Sequence, residues 1–479
     1  MFCVNRAILE VRLKTPPVLD IFTENPAQAI PVWMVRQETY EAWAADQPSG
    51  VRAWADTCRF RAGTGEWLRL PSDNGGLSGV VLGLGTDALW PPFPLAGLAA
   101  GLPAGIYALA DVPAGLDPTL LALGWALGTY HFNRFKSAPS ENFPRARLAM
   151  PEGANGTDAS SQARAIFWVR DLINTPANEM GPAELESAAR GLAESYGAEM
   201  KVITGADLLA QNFPLVHAVG RTAAAAPRLI DFVWGRQSAP KVTLVGKGVC
   251  FDTGGLNLKP GTSMELMKKD MGGAAHVLGL ARLIMEAKLN VRLRVIIPAV
   301  ENAIGGTAFR PGDILRCRQG QSVEIGNTDA EGRLILADAL ALADEEAPAL
   351  LIDMATLTGA ARAALGPDLP PFYCDNEGLA AQLALQAERC RDPLWRMPLW
   401  PGYETWLESK VADMTHIGVN PMAGSVLAAL FLKRFVTRAT GWIHLDVYAW
   451  TPKARPGQPV GGEAQGVRAL FGLLKERYA

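Results

Sequence analysis

Hydrophobic and polar positions divide the chain into two textures. Up to about residue 140, short apolar runs at 7–13, 78–85 and 105–112 stand between turns rich in Gly and Pro. That is the pattern of strands in a small α/β domain. Residues 150–162, MPEGANGTDASSQ, are small and polar and predict a linker. Ile166, Val169, Leu172 and Ile173 then recur at helical spacing, so 160–174 predicts a helix, which Pro176 ends. From about residue 175, buried-type apolar runs at 242–245, 295–299, 350–354 and 442–447 alternate with helical patterns at 272–287, 334–343 and 426–436. The alternation predicts a larger α/β domain with a mixed sheet flanked by helices. Ligands of such sheets gather beyond the strand C-termini, here on the loops after Val245 and Met354. The expected boundaries are 1–145 for the N-terminal domain, 146–174 for the linker with its helix, and 175–479 for the second domain.

Composition narrows the class. The chain has 479 residues, 49% hydrophobic and 19% charged, as expected of a soluble globular protein of two domains. A net charge of −3 leaves no basic footprint for nucleic acid. Cys3, Cys58, Cys250, Cys317, Cys374 and Cys390 are dispersed with no CxxC pair, which fits reduced thiols better than a disulfide framework. Arg6, Glu10, Arg12 and Lys14 interrupt any signal-peptide core, and prolines break the uncharged stretch at 88–110. The expectation is a cytoplasmic protein with no membrane association.

Three segments put charge where the pattern otherwise reads as buried. VGKGVCFDTGG at 245–255 carries Lys247 and Asp252, with Lys259 soon after in LNLKP; MKKDMGG at 267–273 puts Asp270 before a helix. NTDAEGRL at 327–334 holds Asp329, Glu331 and Arg333 at alternate positions, which in an extended segment would face one focus. Four carboxylates converging on one buried place repel unless cations join them. Two divalent ions would balance Asp252, Asp270, Asp329 and Glu331, provided that Lys247, if it ligates, is a neutral amine. Such histidine-free ligation suits Zn, Mn, Mg or Co and does not choose among them; the expectation taken forward is two ions of Mn or Zn per chain.

NTDAEGRL resembles the signature of the leucyl aminopeptidase family, the cytosol aminopeptidases of M17 type. The similarity extends through VGKGVCFDTGG, LNLKP, KKDMGG, DMATLTGA (353–360), SKVADM (409–414), AALFLKRF (428–435) and HLD (444–446), with NTPANEMGP at 174–182 resembling the entry to the family's catalytic domain. The resemblance implies a metal-dependent aminopeptidase that removes N-terminal residues from peptides through a water bridging two metals. It implies that Asp252 and Glu331 bridge the ions, that Asp329 completes one site, and that Lys247 and Asp270 complete the other. It makes Lys259 and Arg333 the catalytic side chains, with a bicarbonate at Arg333 acting as general base. It lines the substrate site with Met267, Thr356, Gly359 and the backbone of Leu357, and it implies a homo-hexamer.

Plainer readings compete. GKGVCFDTGG lacks the spacing of a phosphate loop. Cys250 reads as a small buried filler, Lys268 as a solvated charge, and His444 as a hydrogen-bonded structural residue. A dinuclear phosphoesterase would enlist histidines, yet His131, His217, His276, His416 and His444 all lie outside the ligand segments. Some relatives bind DNA, but the acidic balance here weighs against it. Two positions depart from the family: His416, usually asparagine, and Tyr448, usually a small residue in the pocket for the first side chain. Tyr448 is expected either to pack or to reshape that pocket.

Overall fold

The apolar runs of the N-terminal half become β1 (Phe22–Thr23), β2 (Ile30–Arg36), β3 (Trp67–Pro71), β4 (Leu77–Gly85), β5 (Gly105–Leu109) and β6 (Ala146–Ala149). They form one sheet in the order β1-β6-β5-β2-β4-β3, parallel except where β3 runs against β4. The computed structural model describes residues 21–86, 92–137, 146–418 and 420–479, and the expected strand at 7–13 lies outside them. The described chain falls into two units, one of 21–167 with 453–460 and one of 168–452 with 461–479. The division falls within the helix Gly156–Asn174, whose Ile166, Val169, Leu172 and Ile173 are all buried, as their spacing predicts.

The second unit carries β7 (Glu199–Thr204), β8 (Arg228–Trp234), β9 (Lys241–Gly246), β10 (Gly248–Asp252), β11 (Arg292–Asn302), β12 (Ile314–Arg316), β13 (Ser322–Glu324), β14 (Leu350–Ala355), β15 (Pro371–Tyr373), β16 (Trp395–Arg396), β17 (Met414–Thr415) and β18 (Trp442–Asp446). Its main sheet runs β16-β15-β18-β14-β9-β11-β8-β7, with β10 also paired to β11. The centre, β18-β14-β9-β11, is parallel, and β8 and β15 join it antiparallel. Central strands such as Leu350–Ala355 are buried on both faces, which is why they read as continuous apolar runs. The helices Gly272–Glu286 and Glu331–Asp344 are buried along nearly their whole length.

Close approach brings these helices onto the strand ends. A Cβ at Gly273 would lie 2.1 Å from the Met354 carbonyl oxygen, so only glycine lets this helix start reach the end of β14. Lys247, one residue beyond β9, donates its N–H to that same carbonyl. The parallel strands β9 and β14 therefore finish side by side beneath a helix N-terminus.

Three expectations need correction. The linker at 150–162 is helical from Gly156, because the Asn155 side chain accepts the Asp158 N–H and so caps that helix. The helix expected to reach 436 spans Gly424–Lys433. The segment of Asp329, Glu331 and Arg333 is not extended. The Asn327 side chain accepts the Asp329 N–H, Thr328–Ala330 form a 3₁₀ turn, and the α-helix begins at Glu331. Local capping by asparagine overrides the alternation.

Candidate active site

Lys247 enters the site from the end of β9, Asp252 from the end of β10, and Asp270 from the 3₁₀ turn Met267–Met271. Asp329 and Glu331 come from the capped helix start, where acidic groups also suit the positive end of the helix. Oxygens of Asp252, Asp329 and Glu331 lie within 4.8 Å of one another. Lys247 Nζ joins Asp270 at 2.8 Å to Glu331 at 3.0 Å and donates to the Thr356 carbonyl at 2.9 Å. Lys259 Nζ stands between Asp252 at 2.9 Å and Asp329 at 2.5 Å.

The lysine stem needs room as well as charge. A Cβ at Gly332 would come within 2.5 Å of Lys247 Cε, so the helix carries glycine where the side chain crosses it.

Two ammonium groups against four carboxylates leave the cluster negative, and its titration shows the strain. Burial, reinforced by Asp252, pushes the Glu331 carboxyl up; burial and Asp270 do the same to Asp252. Burial would discharge Lys247, but Asp270 and Glu331 outweigh it and hold the ammonium well above its ordinary value. Glu331 Oε2 is buried with no hydrogen-bond donor. Hard oxygen donors, excess negative charge and an orphaned buried carboxylate oxygen fit a divalent cation.

Arg333 is buried and its Nη1 donates to the His416 carbonyl at 2.6 Å, while its Nε has no acceptor. Burial lowers the guanidinium to about 10. His416 fixes this wall: Nε2 meets the Asn327 carbonyl at 2.9 Å and Nδ1 meets the Gly326 N–H at 3.3 Å, as in a neutral imidazole. Burial pushes its pKa down to about 3.

Thr356 Oγ1 donates to Asp270 Oδ1 at 2.7 Å, and Leu357 N–H donates to Asp446 at 2.9 Å. Met267 opens the turn that carries Asp270, while Gly359 is exposed at the start of its helix. Tyr448 is half-buried, with Lys269 and Arg362 both over its ring. Lys268 is not simply solvated, since it donates to the Asn174 carbonyl and lies over the Trp450 ring. Cys250 is fully buried and its thiol is pushed well up, so it is no nucleophile. His444 is buried against Asp353 at 2.5 Å.

Some supports were not legible beforehand. Asn302, at the end of β11, donates to Asp252 at 2.8 Å and to the Thr328 carbonyl at 3.0 Å, tying two ligand segments together. Asp446 accepts Leu357 N–H, Thr358 N–H and the Thr358 hydroxyl. A polar residue closing an apolar strand was the available signal in both cases.

This geometry has known relatives. A family model described as "Cytosol aminopeptidase family, catalytic domain" matches residues 167–471, and "M17 aminopeptidase, N-terminal domain" matches 30–151. The chain belongs to the cytosol aminopeptidase family. Among curated relatives of the family, a probable cytosol aminopeptidase of Caulobacter vibrioides is 36% identical over 91% of this chain and 94% of its own length. One of Syntrophotalea carbinolica is 40% identical over 77% of this chain and 78% of its own length. The crystal structure of cytosol aminopeptidase from Coxiella burnetii superposes with a TM-score of 0.91 at 43% identity, covering 96% of this chain and 100% of that one. The bottromycin maturation enzyme BotP in complex with Mn aligns with a TM-score of 0.83 at 31% identity, over 94% of this chain and 99% of that one. As a member of the cytosol aminopeptidase family this protein is a metal-dependent aminopeptidase, a metallo-exopeptidase of mixed α/β fold. No described helix is long and apolar enough to cross a membrane.

Proposed function

We propose that the enzyme removes the N-terminal residue of cytoplasmic peptides at a centre where Lys247, Asp252, Asp270, Asp329 and Glu331 hold two divalent ions, Mn or Zn. The convergence of Asp252, Asp329 and Glu331 oxygens within 4.8 Å, with Lys247 linking Asp270 to Glu331, carries this reading. Ions held there would supply acidification of water and polarisation of a scissile carbonyl. An amine ligates only when neutral, so Lys247 would have to give up a proton to join the ions and affinity should rise with pH.

The remaining roles belong to the chain itself. Lys259, cationic beside Asp252 and Asp329, supplies charge where negative charge grows on the carbonyl oxygen. Arg333, with a buried Nε that has no acceptor, would hold a bicarbonate, which would supply a general base there. Met267, Thr356, Gly359 and Tyr448 wall the pocket for the first side chain, and the Leu357 backbone orients the substrate. The catalytic unit is residues 175–479; of the expected linker at 146–174, Ala146–Ala149 belongs to the N-terminal sheet as β6, so the connection is the loop and helix that follow it, and six copies assemble into a hexamer.

Elemental analysis of active protein, paired with turnover of aminoacyl chromogenic amides under Mn, Zn, Co and Mg, tests the centre. Two ions per chain are expected; active protein with one or none would overturn the dinuclear reading.

A further inference from the structure

Beside the carboxylate cluster, two basic side chains lie over the same phenol ring. Lys269 Nζ lies 4.7 Å and Arg362 Cζ 5.0 Å from the Tyr448 ring centroid. Lys269 is only 2% exposed, and among the described residues its Nζ makes no hydrogen bond or ion pair. Arg362 Nη1 is buried and has no acceptor.

The neighbouring carboxylates are committed elsewhere. Asp270 takes Lys247 and the Thr356 hydroxyl; Asp446 takes two backbone N–H groups and the Thr358 hydroxyl. Stacking on one ring leaves the Lys269 amine and the Arg362 guanidinium without an acceptor, and buried donors without partners are costly. An external anion would supply the missing partner.

The place of these two groups says which anion. Lys269 adjoins Asp270 in sequence, Tyr448 follows Asp446 by two residues, and an added Cβ at Gly359 would stand 3.7 Å from Arg362 Nη2. Met267, Thr356, Gly359 and Tyr448 are the walls proposed above for the first side chain. We propose that Lys269, Arg362 and Tyr448 form a carboxylate-binding recess in that pocket, making peptides that begin with glutamate or aspartate a favoured substrate class. The inference rests on the pocket assignment.

The test uses the Mn-loaded full chain and glutamyl, glutaminyl, leucyl and alanyl nitroanilides. Glutamine keeps the shape of glutamate and loses the charge, so kcat/KM for glutamyl over glutaminyl should exceed about tenfold. Arg362→Gln and Lys269→Met should each bring that ratio down by about tenfold, with metal content measured alongside. Independently of any variant, calorimetry on the wild type should show free L-glutamate binding more tightly than L-glutamine. A glutamyl-to-glutaminyl ratio near one, with leucyl turnover intact, overturns the proposal. Inorganic phosphate competing equally against glutamyl and leucyl substrates would reveal a free-anion site and overturn it too. If Tyr448→Ala leaves every first-residue preference unchanged, the pocket assignment itself fails, which the leucyl-to-alanyl ratio reads separately.

Discussion

Lys247 and Lys259 carry the same ammonium group into the same cluster, yet their proposed tasks differ. Lys247 is almost wholly enclosed and is proposed to act as a neutral ligand, whereas Lys259 is proposed to stay a cation at the reacting carbonyl. Lys259→Ala and Arg333→Ala should therefore lose kcat by orders of magnitude while retaining metal, and Glu331→Ala should lose metal affinity as well. Parallel kinetics and elemental analysis separate the two cases; wild-type turnover in Lys259→Ala would remove its role at the carbonyl. Tyr448 supplies a second residue-scale expectation. Its ring takes space that a small residue would leave, and hydrophobic pockets discriminate by ~1–3 kcal/mol per methylene. Tyr448→Ala should raise kcat/KM for leucyl and phenylalanyl amides relative to alanyl ones, and an unchanged ratio would leave the residue a packing role.

At the scale of elements, glycine and histidine fix how helices meet the site. Gly→Ala in a helix interior ordinarily stabilises by ~1 kcal/mol. At Gly332 the sign should reverse, because the new methyl would meet the Lys247 stem at 2.5 Å. Gly332→Ala is expected to weaken metal binding at least tenfold, and titration of metal-free protein with Mn would show it. His276 sits in the helix Gly272–Glu286 with Nδ1 at the Gly272 carbonyl and Nε2 accepting the Gln465 N–H. Burial lowers its pKa to about 4. Between that value and the unfolded value near ~6.5, the unfolded chain binds a proton that the folded chain refuses. Stability from this group is complete above ~6.5 and falls as pH drops toward 4. Urea titrations of wild type and His276→Gln should differ in slope by about one proton across that window; equal slopes would mean His276 accepts a proton while folded.

For the whole molecule, the metal links activity to stability. The cluster keeps an excess of buried negative charge that cations relieve, and anything that binds only the folded state raises its stability by mass action. Chelation should abolish activity and lower the melting temperature of the full chain, and added Mn should restore both. A melting temperature indifferent to chelator would place the ions outside the folded state's energetics.

Sequence by itself determined the mixed α/β class, the strands at 242–245 and 350–354 within β9 and β14, and the residues worth watching. These were legible because burial on both faces leaves continuous apolar runs, and charge inside such sequence is costly enough to demand a reason. The family resemblance added roles that spacing alone did not give. Tertiary structure decided the rest. The turn that gathers Asp329 and Glu331 depends on Asn327 capping, so alternation misread it as extended. Asn302 and Asp446 brace the site across long sequence separations, and Lys269 meets Tyr448 beside Arg362 only once distant segments are folded together. Periodicity records which face of an element is buried, but not which distant polar group meets it there; that pairing exists only once the strands are in register.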